Sequence, residues 1–86
     1  MPRATVADRK ATKAEVSAHA AEIRAAASRL ALTHARVRDD GTVVVHSDEP
    51  GYRATVRLSQ SASDLVGTYV HVITDDVPGA AHTSEL

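Results

Sequence analysis

The pattern of apolar positions divides the chain into a helical first part and a strand-rich second part. Between residues 16 and 30 the apolar residues recur at alternating intervals of four and three, which places them on one stripe of an α-helix. Ahead of them Thr12 and Glu15 match a capping box, and no Gly or Pro interrupts residues 12–32. We therefore predict one helix across this segment. The stripe consists of Val16, Ala20, Ile23, Ala27 and Leu30.

After residue 32 the period of the apolar pattern changes to two, which is typical of β-strands with one buried face. Turn residues separate four short runs that are rich in β-branched side chains. We predict strands at residues 33–38, 42–46, 52–58 and 68–73. The expected fold class is therefore α+β, with one N-terminal amphipathic helix packed on a four-stranded antiparallel β-meander in the order α-β-β-β-β.

The register of the first predicted hairpin follows from the length of its loop. A two-residue turn would mix charged and apolar side chains on one face of the hairpin. A three-residue loop over residues 39–41, with Gly41 in a left-handed conformation, instead pairs Val37 with Val43 on the apolar face. We predict this second register.

The ends of the chain carry no comparable periodicity. We predict a flexible basic arm at residues 1–11, a single α+β domain at residues 12–76 and a disordered tail at residues 77–86. A chain of 86 residues has room for one modest core, and its apolar residues are small, with no Phe or Trp. Because there is no cysteine to form disulfides, we expect a homodimer to supply further burial.

Three absences in the sequence bear on the compartment. The chain has no cysteine, no apolar run of the length that a membrane span needs, and no apolar leader at its beginning. We therefore expect a cytoplasmic protein without a membrane partner. The excess of Arg over Lys, together with abundant Ala and Val, favours a prokaryotic or phage genome of high GC content.

Charge is nearly balanced overall but unevenly arranged over the predicted sheet. The net charge is −1, yet the acidic residues of the second part fall in predicted loops and none falls in a predicted strand. The face opposite the core receives arginine and histidine side chains and one tyrosine. The cationic side chains suit an anionic partner, and a base could stack on the tyrosine ring. The candidate binding residues are Arg36, Arg38, Arg53, Arg57, Tyr69, His34, His46 and His71.

Two functions compete for this face. The first is a binding or regulatory module that contacts a polyanion, with nucleic acid as the favoured ligand. The alternative is a protein–protein interaction module, such as a small phage or plasmid inhibitor, adaptor or antitoxin, that contacts an acidic protein surface. A further interpretation is an ordinary solvated face, on which arginine stems only cover their neighbours. Salt separates the first two, because contacts to several phosphates weaken steeply as salt rises.

The sequence contains no catalytic or cofactor motif. It lacks HxH and HExxH spacings and any phosphate-binding loop. His34 and His46 are predicted to lie opposite each other, but a metal site needs at least a third ligand, and only Asp48 and Glu49 follow nearby. We therefore predict a non-enzyme with no metal site and no cofactor. Protonation of the histidines at about pH 6 would make the predicted face more basic.

The predicted order of elements over residues 12–58 resembles the beginning of the small nucleoid-associated YbaB-like proteins. The likeness is one of element order alone. That family closes with a second helix, whereas this chain predicts a strand at residues 68–73.

Overall fold

A computed structural model describes residues 7–48, 53–77 and 83–86. In these residues the elements are β1 Ala7–Lys10, α1 Lys13–Ala18, α2 Ala20–Arg29, β2 Thr33–Arg38, β3 Val43–His46, α3 Arg53–Val66, β4 Thr68–Tyr69, β5 Val72–Thr74 and β6 Thr83–Glu85. The predicted α-β-β-β-β meander is therefore wrong. Helices are not confined to the N-terminal part of the chain, and the strands pair in both parallel and antiparallel directions.

The described strands form two sheets. β1 pairs in parallel with β4 in a two-stranded sheet, and the larger sheet has the strand order β5-β3-β2-β6. Within the larger sheet β2 is antiparallel to both β3 and β6, whereas β3 and β5 are parallel. Parallel neighbours need a crossover connection, and α3 lies in the connection from β3 to β5. A meander contains no such crossover, because hairpins join its consecutive antiparallel strands.

The predicted start of the first helix is confirmed. Thr12 is the N-cap of α1: its hydroxyl accepts a hydrogen bond from the Glu15 N–H at 3.2 Å, and the Glu15 carboxylate accepts one from the Thr12 N–H at 3.0 Å. The single predicted helix is divided at His19, which ends α1 and precedes α2 with a backbone outside the helical region. Val16 and Ile23 of the predicted stripe are nevertheless fully buried.

The predicted hairpin register is confirmed next to the loop, but it shifts between Thr33 and Arg36. Thr33 lies opposite His46, so the predicted pairing of His34 with His46 is wrong. Val37 lies opposite Val43 in the β2–β3 pairing. Gly41 has a φ of +88°, and its N–H donates a hydrogen bond to the carbonyl of Arg38 at 3.0 Å. A three-residue loop with a left-handed glycine thus sets the pairing of the two strands.

The predicted strand at residues 52–58 is wrong, because α3 occupies Arg53–Val66. The helix ends before Gly67, whose φ of +88° lets its N–H donate to the carbonyl of Ser63 at 2.8 Å. The alternation of apolar residues over 52–58 is too short to distinguish the two-residue period of a strand from the 3.6-residue period of a helix. The buried side chains of α3 instead follow helical spacing and are Thr55, Leu58, Ala62 and Ser63.

The core lies between the three helices and one face of the larger sheet. Its sheet residues are Val37, Val43, Val45 and Val72, and its helix residues include Val16, Ile23, Ala27, Leu58 and Ala62. Side chains alternate along a strand, so the neighbours of these valines point to the opposite face. The buried helix residues pack on the core side of the sheet.

Short strands lie near both ends of the chain. β1 lies within the segment for which we predicted a flexible arm, and β6 lies within the segment for which we predicted a tail without regular structure. Each has at most four residues, so neither carries a readable period. No helix within residues 7–48, 53–77 and 83–86 is long and apolar enough to cross a membrane.

Candidate anion-binding face of the sheet

We define the outer face as the side of the larger sheet that is turned away from the helices. Strand pairing places Arg36 beside Val44, and Val44 beside Ile73, in one row across this face. Val44 is only 2% exposed although it does not belong to the core cluster. The outer face is therefore a polar surface over a narrow apolar centre.

The structure separates the eight candidate residues into two groups. Arg53 and Arg57 lie exposed on α3, which packs against the core side of the sheet, so the helix in place of the predicted third strand removes them from the outer face. The other candidates lie on the outer face or at its edges, and they are His34, Arg36, Arg38, His46, Tyr69 and His71.

Thr42 accepts hydrogen bonds from one cationic side chain and from one backbone N–H of β2. Nζ of Lys10 donates to the Thr42 hydroxyl at 2.6 Å and lies 3.2 Å from a carboxylate oxygen of Asp40. The N–H of Arg38 donates to the Thr42 carbonyl at 2.8 Å. The pKa of Asp40 is lowered to about 2, mainly by the hydrogen bond from the Thr42 N–H and further by Lys10. The sequence places Lys10 in the predicted basic arm and not among the candidate residues of the sheet, because only the long-range pairing of β1 with β4 brings it here.

Two aromatic rings lie next to this group. Tyr69 pairs with Lys10 across the small sheet and is 43% exposed. Its hydroxyl is hydrogen-bonded to Nδ1 of His71 at 2.9 Å, and the two ring centroids are 5.9 Å apart with planes inclined by 38°. The carbonyl of His71 accepts the N–H of Val43 at 2.8 Å, which fixes this segment to β3. We call Lys10, Arg38, Tyr69 and His71 the Thr42 cluster.

The two arginines of β2 differ in their surroundings. The guanidinium of Arg36 donates to both the hydroxyl and the carbonyl of Thr83, the latter at 3.2 Å. Glu85 lies opposite Arg36 in β6, so an acidic residue does fall inside a strand and the outer face is not purely basic. Arg38 has no ion pair or side-chain hydrogen bond within the described part of the chain. Arg38 is therefore the half-buried guanidinium of β2 without a hydrogen-bond partner among the described residues.

A second group of titratable side chains lies where β3 and β5 end. Nε2 of His46 is 2.9 Å from Asp48, and its Nδ1 is 3.0 Å from Asp75. These hydrogen bonds, first that of Asp48 and then that of Asp75, raise the pKa of His46 above its ordinary value. The His34 ring packs edge-on against the His46 ring at 6.0 Å.

This group does not form a metal site. The two carboxylates bind opposite nitrogens of one imidazole ring, so they cannot share a cation with it. No set of three or more potential ligands that could hold a metal is found among the described residues. The arrangement is instead an imidazole ring held between two carboxylates.

Two serines where α3 meets β4 have structural roles. Ser59 donates its hydroxyl to the carbonyl of Val70, and the N–H of Val70 donates to the hydroxyl of Ser63 at 2.8 Å. Val70 is fully buried, so these two hydroxyls satisfy both of its backbone polar groups. Within the described part of the chain, neither serine is hydrogen-bonded to a histidine that could activate it.

Comparison of the chain with models of known protein families, with curated proteins and with solved structures gives no match. The likeness in element order to the YbaB-like proteins ends after β3, where α3 stands in place of a strand. The argument for function therefore starts from the outer face and its chemistry.

Proposed function

We propose that the chain is a small non-catalytic binding module that contacts a polyanion, with single-stranded nucleic acid as the favoured ligand. The observation that supports this proposal is the Thr42 cluster on the outer face of the larger sheet. Arg38 lacks a partner among the described residues, and the exposed rings of Tyr69 and His71 lie close by. A guanidinium binds phosphate through forked hydrogen bonds, while an unpaired base stacks on an aromatic ring.

The chemistry of the cluster favours a single strand over a duplex. In a duplex the bases are stacked on each other, so an exposed ring pair has no base face to contact. A duplex also binds chiefly through many phosphate contacts, and the net charge of this chain is only −1 with few cations on the outer face. Tyr69 and His71 together supply what a single strand needs, which is a stacking surface beside a cation.

We propose further that the module works as a homodimer in the cytoplasm. The largest fully buried side chains are Ile23, Leu58 and several valines, so the core of one copy is thin. A second copy adds buried surface and presents a second Thr42 cluster to the same strand, which raises the apparent affinity. The absence of cysteine fits a reducing compartment.

The test compares two arginines that both lack ion pairs among the described residues but lie on different surfaces, Arg38 on the outer face and Arg57 on α3. Binding of fluorescent single-stranded and double-stranded oligonucleotides is titrated at several salt concentrations. We expect Arg38→Ala to weaken single-strand binding and to reduce the salt slope by about 0.7, because one phosphate contact is lost. Arg57→Ala, which removes the same charge, leaves both quantities unchanged.

A third variant separates stacking from charge. Tyr69→Ala is expected to cost about 1–3 kcal/mol of binding free energy, because a base loses its stacking partner. The salt slope stays the same, since no phosphate contact changes. Equal effects of Arg38→Ala and Arg57→Ala would mean that only total charge matters, and the proposed face would be wrong. No binding at low salt would reject nucleic acid altogether.

A protein with an acidic surface is the second candidate partner. Glu85 on the outer face and Asp40 beside Lys10 are the observations that favour it, because a continuous phosphate backbone would pass close to both carboxylates. A single acidic side chain could reach Arg38 without meeting them. A complex of this kind with an apolar centre keeps most of its affinity at high salt, so the same salt series distinguishes the two partners.

A further inference from the structure

An open groove of about 520 Å³ lies between α2 and α3. Its residues on α2 have the i, i+3, i+4 and i+7 spacing of a single helix face, and those on α3 have the spacing i, i+3 and i+4. We call this surface the α2–α3 groove. The residues that bear on recognition are Glu22, Ala25, Ala26 and Arg29 of α2 and Asp64 and Leu65 of α3.

The middle of the α2–α3 groove is apolar and is formed by small side chains. Ala25 is exposed, Ala26 is half-buried, and Leu65 is 39% exposed. The contacts of α2 with the core are made by a different face, which carries Ile23 and Ala27. Because the distance between two packed helices depends on the side chains at their contact, the alanines allow a further helix to approach α2 closely. The shape of the groove therefore fits a helix.

The charges along the α2 side of the groove have opposite signs at its two ends. Arg29 has no ion pair among the described residues, and Glu22 has only a contact of 3.5 Å with Nδ1 of His19. Residues seven apart on a helix are separated by about 10 Å along its axis, so Glu22 and Arg29 cannot pair with each other. Asp64 adds a second carboxylate to the groove. A helix that fits must bring a cation and an anion at this same spacing.

The α2 helix itself carries that pair of charges. Consider two antiparallel α2 helices related by a two-fold axis between residues 25 and 26. Residues 22 and 29 are symmetric about this axis, so Glu22 of each copy lies opposite Arg29 of the other. Ala25 and Ala26 are symmetric about the same axis, so small side chains face each other at the centre. A single register therefore satisfies both the charges and the close approach.

We propose that the α2–α3 groove is the surface through which two copies associate, with the α2 helix of each copy lying antiparallel in the groove of the other. Leu65 of each copy then packs against the alanines of the second copy. This proposal specifies the surface of the homodimer proposed above and rests on that part of the proposed function. Both outer faces remain open, because the buried helix residues pack on the core side of the sheet.

The expected dimer is in equilibrium with the monomer. Contacts confined to short helices bury less surface than the interfaces of permanent dimers do, so the dissociation constant is measurable by analytical ultracentrifugation of the full-length chain. We expect Arg29→Glu to raise this constant about ten-fold, because symmetry replaces two ion pairs by two contacts between like charges. Glu22→Arg has the same effect for the same reason.

Mixing these two variants tests the register. One copy is then positive at both positions and the other is negative at both, so the antiparallel arrangement restores two ion pairs. We expect the equimolar mixture to form a heterodimer about as tight as the unaltered dimer. A mixture that associates no more tightly than either variant alone would overturn the proposal.

Matched controls separate the groove from total charge and from loss of folding. Arg57→Glu makes the same change of charge on α3 outside the groove, and we expect it to leave the dissociation constant unchanged. Ala25→Gln places a longer side chain at the axis and weakens the dimer, whereas Ala21→Gln, at an exposed position of α2 outside the groove, does not. Circular dichroism of all variants checks that the helices are retained.

The outcomes distinguish this surface from the wider proposal. A dimer that Arg29→Glu and Arg57→Glu weaken equally would keep the homodimer but reject the α2–α3 groove as its surface. An unaltered chain that stays monomeric at every concentration would reject both. Neither result depends on nucleic acid, so binding of a polyanion to the outer face can fail or succeed separately.

Discussion

Alanine substitutions at Gly41 and Gly67 separate two contributions to the loss of folding stability, that of a left-handed backbone conformation and that of a steric clash. Both have a φ of +88°. A Cβ atom at position 41 would lie 2.1 Å from the carbonyl oxygen of Ala11, whereas a Cβ atom at position 67 meets nothing within 4 Å. Alanine at either position bears the cost of the left-handed region, about 1–2 kcal/mol. Only Gly41→Ala must also displace a neighbouring backbone.

The size of the steric cost follows from what surrounds Ala11. Its carbonyl oxygen must move by about 1 Å to reach an ordinary contact distance from the new methyl group. Ala11 is 1% exposed, and its N–H donates to the carbonyl of Tyr69 at 2.7 Å. Weakening that hydrogen bond costs about 1 kcal/mol, and disturbed packing adds about 1 kcal/mol more. We expect about 3–4 kcal/mol for Gly41→Ala and about 1–2 kcal/mol for Gly67→Ala.

Urea unfolding followed by circular dichroism measures both effects. With an m value of about 1 kcal/mol/M, the midpoint falls by about 1–2 M for Gly67→Ala and by about 3–4 M for Gly41→Ala. Equal shifts of the two midpoints would refute the reasoning, because they would show that the contact with Ala11 costs nothing beyond the backbone conformation. A change in m for one variant alone would point to an altered unfolded state.

Two further predictions concern a buried hydrogen bond and an exposed histidine. Ser63→Ala leaves the buried N–H of Val70 without its acceptor, so we expect a loss of about 1–3 kcal/mol in urea unfolding, whereas Ser61→Ala on the exposed side of α3 changes little. His46→Gln removes a contribution to the free energy of unfolding that depends on pH. Because folding raises the pKa of His46, this stabilisation is present in full below the ordinary pKa of about 6.5, and it is lost as pH rises through the raised pKa. Thermal melts of both proteins across this range measure it, and a difference that does not change with pH would contradict the assignment.

Local signals in the sequence predicted local geometry correctly. The Thr12 capping box depends on residues within one turn, and the hairpin register depends on a three-residue loop that ends in Gly41. Both are decided by neighbours in the chain, so a single sequence contains the information. No comparable sequence signal indicates the division of the helix at His19, because alanine-rich sequence continues on both sides of it.

The largest error came from a run that fits two periods. Residues 52–58 alternate like a strand, yet Leu58 and Ala62 have the four-residue spacing of a helix. The signal that could have decided it is length: no Gly or Pro interrupts residues 53–66, and Gly67 then provides the left-handed end. A strand of fourteen residues would be unusual, whereas a helix of that length is ordinary.

The wrong prediction of a strand at residues 52–58 also made part of the candidate site wrong. Arg53 and Arg57 were grouped with the β2 arginines only because a strand was expected there. Arg38 was placed correctly on the outer face, since its position follows from the hairpin register. Lys10 could not be found from local pattern, because its place beside Thr42 depends on a pairing between distant segments.

The pairing of β1 with β4 has a consequence for the order in which the chain assembles during synthesis. β1 is made before the other described strands, but its partner, β4, follows about sixty residues later. At about 5–20 residues per second, the first strand waits for several seconds without a neighbour. Asp8, Arg9 and Lys10 give it three charged residues during that interval, and charged side chains on an unpaired edge discourage association with other nascent chains. The β2–β3 hairpin can close locally well before then, so β1 is among the last of the described elements to join the fold.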